Sequence, residues 1–280
     1  MGQESSPGND LNILQRNNVQ IRGDAGPVLI YGNGFGCNQT MWDRITPAFE
    51  ASHTQVLFDY VGTGKSDLSA FDTERYDRLE GYAQDLLEVC DALGLQSDVT
   101  FMGHSVSCSI GLLACLERPA LFKHLVLLGP SPCFLNHPPY YLGGFEREDL
   151  EDLLALMDQN FMGWASYLAP VIAGTSQDGV FANELESSFC STDPVAARLF
   201  AKATFFSDNR GDLPKVKCPC LVLQHAQDSL APLGVGDYVH QQLAGSTLKV
   251  LDVAGHCAHM SHPLLVIDAM QDYFSRRLAV

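Results

Sequence analysis

Short apolar runs alternate with amphipathic stretches along most of this 280-residue chain. Apolar runs bounded by glycine, proline or asparagine predict strands, and they lie at 27–31, 55–59, 98–102, 124–128, 219–224 and 248–253. Over 79–93, apolar residues recur at steps of three and four, which predicts a helix with Gly94 as its C-cap. A last helix is predicted from Pro263 onwards. Strands that alternate with helices are typical of an α/β protein whose mostly parallel central sheet is flanked by helices.

Residues 131–210 interrupt this alternation, because they show helical patterns without a convincing strand. They also hold nearly half of the chain's phenylalanine, tyrosine and tryptophan residues. A helical insertion of this length predicts a cap over the carboxyl edge of the sheet, where open α/β sheets bind ligands. Most of the aromatic side chains are expected to form the core of the cap. We expect the following four to line an apolar substrate pocket: Phe134, Phe145, Trp164 and Phe205.

The rest of the chain divides around this cap. Residues 12–130 and 211–280 are expected to form the α/β core, which begins with a β-hairpin at 12–22. Residues 1–11 are polar and are expected to form a disordered tail. They have neither a basic start nor an apolar stretch, so no secretory signal is expected.

Composition and charge narrow the classes of function. The net charge of −16 argues against nucleic acid and anionic membranes as partners, because both attract basic proteins. No apolar run reaches the length of about 18 residues that a membrane span requires. The nine cysteines are an odd number and include no C-x-x-C pair, which favours reduced thiols and a cytoplasmic location.

The pentapeptide Gly-His-Ser-Val-Ser at 103–107 lies between a predicted strand and an apolar helical pattern. A serine at such a switch sits on a tight turn with its hydroxyl exposed above the sheet, which is the geometry of a nucleophile elbow. Ser105 is therefore the candidate nucleophile. Ser107 occupies the last position of the motif, where glycine is usual. Taken alone, the pentapeptide is equally compatible with a packed turn of no catalytic role.

Three other patterns suggest different chemistry, and each fails on its spacing. Gly-Asn-Gly-Phe-Gly at 32–36 follows a strand, but a dinucleotide fingerprint requires glycine where Cys37 stands. Gly-Lys-Ser at 64–66 would be a phosphate loop only with a glycine in place of Asp59. Histidines at 256, 259 and 262 would fan around a helix and could not converge on one metal ion. Neither a metal nor another cofactor is expected.

A serine nucleophile requires a general base, and the base requires an acid that orients it. On this architecture both partners follow later strands, with the acid before the base. Asp228 lies just past the predicted strand at 219–224, and His256 lies just past the one at 248–253. The order Ser105, Asp228, His256 therefore predicts a catalytic triad. The weaker alternatives are Asp237, Asp252, His259 and His262.

Acyl transfer on the serine would generate an oxyanion, which two backbone N–H groups commonly stabilise. One donor is expected from Val106, at the start of the helix that follows the nucleophile. The other is expected from Phe35, because the glycines at 34 and 36 let the backbone come close.

The motifs together resemble a known family. Gly-Phe-Gly at 34–36, the segment at 59–67, the elbow and the ordered triad are similar to those of the α/β-hydrolase fold. Other strings resemble most closely the RsbQ-type bacterial stress regulators and their relatives, the plant karrikin and strigolactone receptors. These strings lie at 58–62, 129–133, 189–194 and 255–263.

The resemblance implies a four-helix cap over 131–210, and it places the family's triad and oxyanion donors on the residues identified above. It also implies a partner, a phosphatase with a PAS sensor domain, as in the RsbQ family. Two departures from the family pattern stand out. Asn33 replaces the histidine that many α/β hydrolases carry in the oxyanion loop, and Ser107 is similar to the plant receptors.

Two functions follow as hypotheses. The first is a cofactor-free serine hydrolase that cleaves a small hydrophobic ester or lactone through an acyl-enzyme on Ser105. The second is a ligand-sensing signalling protein that activates a phosphatase partner, with slow or incidental hydrolysis. Lyase or cofactor-free oxygenase chemistry on the same fold is a further alternative.

Overall fold

The computed structural model describes residues 7–174 and 179–278. The strands are β1 (Gln20–Arg22), β2 (Val28–Gly32), β3 (Thr54–Leu57), β4 (Val99–His104), β5 (Phe122–Leu128), β6 (Cys220–Gln227) and β7 (Thr247–Ala254). The helices are α1 (Pro7–Arg16), α2 (Leu79–Ala92), α3 (Val106–Glu117), α4 (Arg147–Gln159), α5 (Phe161–Ala173), α6 (Val180–Cys190), α7 (Pro194–Phe205), α8 (Leu233–Gln242), α9 (Ala258–Ser261) and α10 (Pro263–Leu278). Short 3₁₀ helices lie at Gln39–Trp42, Thr46–Ala48, Leu68–Ala70 and Leu213–Lys215. Among the described residues, no helix combines the length and the apolar character that crossing a membrane requires.

One sheet contains the seven described strands, in the order β1-β3-β2-β4-β5-β6-β7. The edge strand β1 runs antiparallel to β3, and the other neighbouring strands are parallel. The register places Gly32 of β2 beside Gly103 of β4, and His104 of β4 beside Leu128 of β5. The carboxyl ends of the central strands therefore meet at one edge, where α/β sheets bind ligands. The predicted α/β class is confirmed.

The core is centred on the middle strands of the sheet. Leu29 of β2, Phe101 of β4 and Val126 of β5 are fully buried. Helix α3 packs against β4 and β5, and α8 and α10 pack against β6 and β7. Because strands covered by helices bury both of their faces, they read in the sequence as continuous apolar runs. This is why all six predicted strands lie within three residues of their expected bounds.

The β-hairpin predicted at 12–22 is wrong. Helix α1 ends at Arg16, and β1 pairs with β3 instead of with the residues before it. The turn between them is left-handed at Asn18, with φ of +48°. Buried Asn17 donates a hydrogen bond to the Asp59 carbonyl oxygen at 3.0 Å, and Arg16 forms ion pairs with carboxylates of α2. These contacts attach the end of α1 to the core, so the chain forms a helix here.

Helices α4 to α7 lie between the end of β5 and the start of β6. Side chains of α5, α6 and α7 line a cavity that also contains Ser105, so these helices cover the carboxyl edge of the sheet. The division into a core at 12–130 and 211–280 and a cap at 131–210 stays a prediction. Of the predicted tail, residues 1–6 lie outside the described residues, and α1 begins at Pro7.

The nine cysteines are free thiols, and eight of them are buried. Burial raises the pKa of the Cys37 thiol and of the Cys90 thiol to about 12. Thiols in such surroundings stay protonated and pack as small apolar side chains.

Candidate active site

Ser105 lies on the tight turn between β4 and α3. Its backbone has φ of +56° and ψ of −122°, a conformation that costs about 1–3 kcal/mol for residues other than glycine. A Cβ at Gly103 would lie 2.6 Å from the Ser107 backbone, so this position requires glycine. The Ser105 N–H donates to the Leu128 carbonyl oxygen at 2.9 Å, which fixes the turn against β5. The segment thus has the strand–turn–helix geometry of a nucleophile elbow.

Ser107 connects the elbow to the loop after β2. Its hydroxyl donates a hydrogen bond to the Asn33 carbonyl oxygen at 2.5 Å and lies 2.8 Å from the Tyr60 hydroxyl. The Asn33 side chain is fully buried, donates to the Phe58 carbonyl oxygen and accepts from the Trp42 indole N–H. The two departures from the family pattern are therefore linked, because both residues hold this loop in place with hydrogen bonds.

The loop after β2 packs closely against the elbow. A Cβ on Gly34 would lie 2.4 Å from His104 Nδ1, and a Cβ on Gly36 would lie 2.3 Å from the Phe189 ring. Phe35, between these glycines, lines the cavity with Ser105. Val106 is the first residue of α3, where backbone N–H groups lack intrahelical acceptors. This arrangement is compatible with the predicted oxyanion donors, Phe35 N and Val106 N.

Asp228 and His256 meet at the carboxyl ends of β6 and β7. His256 Nδ1 lies 2.7 Å from Asp228 Oδ2 and 2.9 Å from Oδ1. Asp228 Oδ1 also accepts hydrogen bonds from the backbone N–H groups of Leu230 and Ala231. Among the described residues, His256 Nε2 has no hydrogen-bond partner although it is buried. Since Nδ1 faces the carboxylate, Nε2 is the nitrogen available toward the cavity that Ser105 and His256 both line.

His225 is a residue of this site that the sequence analysis missed. It lies in β6, is fully buried, and its Nδ1 lies 2.7 Å from Asp228 Oδ2. Burial lowers the pKa of His225, so its imidazole is neutral and Nδ1–H donates to the carboxylate. Burial alone would raise the pKa of Asp228, but the contacts with His256 and His225 outweigh burial and hold it well below its usual value. The sequence does contain a signal for this residue, because His225 stands at the end of a predicted strand and only three positions before Asp228.

His104 and His259 support the same region. His104 Nε2 lies 2.8 Å from the His256 carbonyl oxygen, and the rings of His104 and His259 pack with centroids 4.5 Å apart. Burial lowers the pKa of both histidines well below the usual value, so both are neutral. The remaining alternatives for the acid and the base lie on the surface: Asp237 on α8, Asp252 on β7 and His262 after α9.

The cavity beside Ser105 is narrow and apolar. Of the four side chains predicted to line it, Phe134 and Phe205 do so. Trp164 lies behind Phe35 instead, with ring centroids 5.8 Å apart. Helix α5 turns this side chain into the core of the helical segment, which is formed by helices α4 to α7. Phe145 lies on an outward-facing depression, because its segment follows the outside of α4 and α5. The large apolar walls that the prediction missed are Ile172, Leu185, Phe189 and Leu230, and smaller parts of the lining come from Cys37, Thr204 and Cys257.

Helices α5, α6 and α7 close over this cavity. Ser105 is only 5 % exposed and His256 only 2 %. The free volume of about 20 Å³ is close to what one water molecule occupies. A ligand larger than water therefore reaches Ser105 only when the side chains or the helices around the cavity move.

Two clusters in the described residues bring potential metal ligands within 4.8 Å of one another. The first is His225, Asp228 and His256, in which the two Nδ1 atoms and the carboxylate are already paired in the hydrogen bonds above. The second is Cys133, His137 and Asp208, none of which lines the cavity beside Ser105.

Comparisons with known proteins agree with this geometry. Residues 28–269 match the profile of the alpha/beta hydrolase family. A probable esterase of Oryza sativa subsp. japonica is 37 % identical over 270 residues, which cover 96 % of this chain and 99 % of the relative. A karrikin insensitive 2 receptor of Petunia hybrida is 35 % identical, over 96 % of this chain and 99 % of the relative. The solved structure of a hydrolase from Oleispira antarctica is similar with a TM-score of 0.92 and 44 % identity, over 95 % of this chain and 97 % of that one.

Proposed function

We propose that this chain, which belongs to the alpha/beta hydrolase family, is a cofactor-free serine hydrolase that cleaves a small hydrophobic ester or lactone. The observation that carries the proposal is the buried Asp228–His256 pair, which opens onto the same apolar cavity as the strained Ser105 turn. A packed turn without a catalytic role would not require a base beside it whose Nε2 is left without a partner among the described residues.

In the proposed mechanism, Ser105 Oγ attacks the substrate carbonyl carbon while His256 Nε2 takes its proton. Asp228 stabilises the imidazolium that forms and holds its Nδ1–H. The backbone N–H groups of Phe35 and Val106 donate to the oxyanion. The tetrahedral intermediate collapses to an acyl-enzyme, and His256 gives its proton to the leaving alkoxide. Water then attacks the acyl group with His256 as base, which releases the acid and restores Ser105.

The cavity walls support an uncharged substrate. No Asp, Glu, Lys or Arg lines the cavity among the described residues, so a charged substrate would lose its hydration without an ion-pair partner. Phenylalanine, leucine and isoleucine side chains form much of the wall, together with uncharged cysteine and threonine side chains and the histidines His104 and His256. A pea relative, 35 % identical over 90 % of this chain, is named a strigolactone esterase. An ester or lactone of low polarity fits both observations.

The direct test is the intact mass of the protein after exposure to a panel of short aryl esters and lactones. We expect a mass increase equal to the acyl group, and peptide mapping should place it on Ser105. An adduct on another residue, or unchanged turnover of the panel by Ser105→Ala, would contradict the proposed nucleophile.

Replacing Gly34 with alanine should reduce kcat/KM for such esters by about 10²–10³-fold, the usual cost of losing an oxyanion donor. The new Cβ would lie 2.4 Å from His104 Nδ1, and His104 is itself bonded to the His256 backbone, so the loop has to shift. Gly234→Ala is the matched control, because a Cβ on this glycine of α8 meets open space. Equal activity of the two variants would mean that this loop does not position a donor.

A second candidate function is ligand sensing, favoured by the relative that is named a receptor. In this proposal the same serine and cavity take up a small hydrophobic molecule, and the helices that close over it present the signal to a partner. A phosphatase with a PAS domain, implied by the RsbQ resemblance, stays a prediction. Saturable binding of such a phosphatase that requires an ester or lactone ligand would support it, and no binding under any ligand condition would count against it.

A further inference from the structure

Cys133, His137 and Asp208 converge where the helical segment joins the core. Cys133 follows β5, and Asp208 follows α7, so the two residues mark the chain leaving and re-entering the sheet. They face each other across an isolated antiparallel bridge, and Asn209 N donates to the Pro132 carbonyl oxygen at 2.7 Å. His137 lies on a tight turn closed by backbone hydrogen bonds with Tyr141. All three side chains are thus held by backbone that is itself fixed.

The distances among these side chains match those of a metal site. Cys133 Sγ lies 3.6 Å from His137 Nε2. A tetrahedral zinc ion bound to one thiolate and one imidazole separates sulfur from nitrogen by about 3.6 Å, given bonds of about 2.3 and 2.1 Å. The ligand atoms of all three residues lie within 4.8 Å of one another, so side-chain shifts of about 1 Å or less complete a tetrahedral set.

We propose that Cys133, His137 and Asp208 form a zinc site that ties the two ends of the helical segment together, with water as the fourth ligand. Thiolate, imidazole and carboxylate are the donor types that zinc combines in proteins. The ion replaces the thiol proton, which passes to solvent, and the thiolate that remains opposes part of the ion's charge of +2.

Arg210 is the neighbouring cation, and its contacts leave the site open. Its Nε and Nη2 donate to Asp208 Oδ1 and Oδ2 at 2.8 and 2.5 Å. These bonds hold the pKa of Asp208 below its usual value, so the carboxylate is ionised. The Arg210 backbone N–H also donates to Oδ1, at 3.2 Å, so Oδ1 is fully used and Oδ2 keeps a second lone pair for a metal. The guanidinium also lies 4.9 Å over the Tyr141 ring, and this cation–π contact holds it in place.

The position of the site gives zinc a consequence for the cavity. Phe134 follows Cys133 directly, and Phe205 lies three residues before Asp208, and both phenylalanines line the cavity beside Ser105. A bound ion would join the backbone on either side of these walls. Zinc is therefore expected to stabilise the helical segment against opening, and to raise the melting temperature of the whole chain.

The test is titration of the full chain with Co²⁺, which has the coordination preferences of zinc and absorbs light. We expect one ion per chain, an intense near-ultraviolet band from the thiolate, and its loss on adding Zn²⁺. Cys133→Ser should abolish the band, and His137→Ala, an exposed position, should weaken binding at least about tenfold. The matched controls are Cys190→Ser, at the least buried cysteine, and His262→Ala, at an exposed histidine.

Each outcome decides the proposal. A thiolate band that persists in Cys133→Ser overturns the proposal, and so does binding with a dissociation constant above about 1 mM. Cobalt that binds without a thiolate band also overturns it, because the ion would then occupy another cluster such as His225, Asp228 and His256. Equal loss in the control variants would mean adventitious binding and would also overturn it.

Discussion

Replacing Ser105 with alanine is expected to lower kcat/KM for short aryl esters by at least about 10⁴-fold, as loss of a triad nucleophile does. The hydroxyl is the only atom removed, and no neighbouring hydroxyl replaces it: Ser107 is bonded to the Asn33 carbonyl oxygen, and Ser109 to the Ser131 carbonyl oxygen. Ser109→Ala is the matched control, because it removes a buried hydroxyl from helix α3, which begins directly after Ser105. Initial rates of all three proteins at the same pH decide the prediction.

The backbone at this position supplies a second readout. Ser105 has φ of +56°, and alanine shares the strain, so Ser105→Ala should melt close to the parent protein. Ser105→Gly should be equally inactive but more stable, by up to about 1 kcal/mol, because glycine adopts this conformation freely. Differential scanning calorimetry separates the two variants. An active Ser105→Gly protein would contradict the nucleophile, whereas an inactive one that is less stable than Ser105→Ala would contradict the strain argument alone.

The order of strands explains how much of the site could be predicted. Parallel strands bring their carboxyl ends to one edge, so a residue just past the end of a strand is placed by the strand itself. Asp228 and His256 could therefore be identified from two apolar runs, and they lie 2.7 Å apart in the structure. The assignment needed no knowledge of side-chain packing.

What the sequence could not predict depends on packing between distant segments. His225 belongs to a strand, where a histidine is usually part of the core. Its contact with Asp228 lies beside an irregularity in the register of β6 between His225 and Gln227, which the sequence does not reveal. Trp164 and Phe145 share the aromatic character of Phe134 and Phe205, and the rotation of each helix decides which of them faces the serine. The sequence predicts a hairpin where the first helix ends, because the core residue that Asn17 contacts, Asp59, lies 42 residues further along the chain.

The acid of the site is expected to tolerate no isosteric replacement. Asp228 accepts from four N–H groups: His225 Nδ1 and His256 Nδ1 at Oδ2, and Leu230 N and Ala231 N at Oδ1. Asparagine in its place has one NH₂ group, which must face either the two histidines or the two backbone donors. Both orientations set donor against donor, at a cost of about 1–3 kcal/mol for the buried group. The histidines can relieve the conflict by moving a proton to Nε2, whereas backbone amides cannot.

Asp228→Asn should therefore shift His256 to the tautomer with its proton on Nε2, which cannot accept a proton from Ser105, and kcat should fall by about 10⁴-fold. His225→Ser is the matched control, because it removes one buried donor to the same oxygen while leaving the His256–Asp228 pair intact, and its loss should stay below about tenfold. Nitrogen-15 chemical shifts of His256 measure the tautomer independently of turnover. Asp228→Asn activity within tenfold of the parent would mean that the carboxylate does not orient the base, and an unchanged tautomer with lost activity would assign the loss to misplacement of His256.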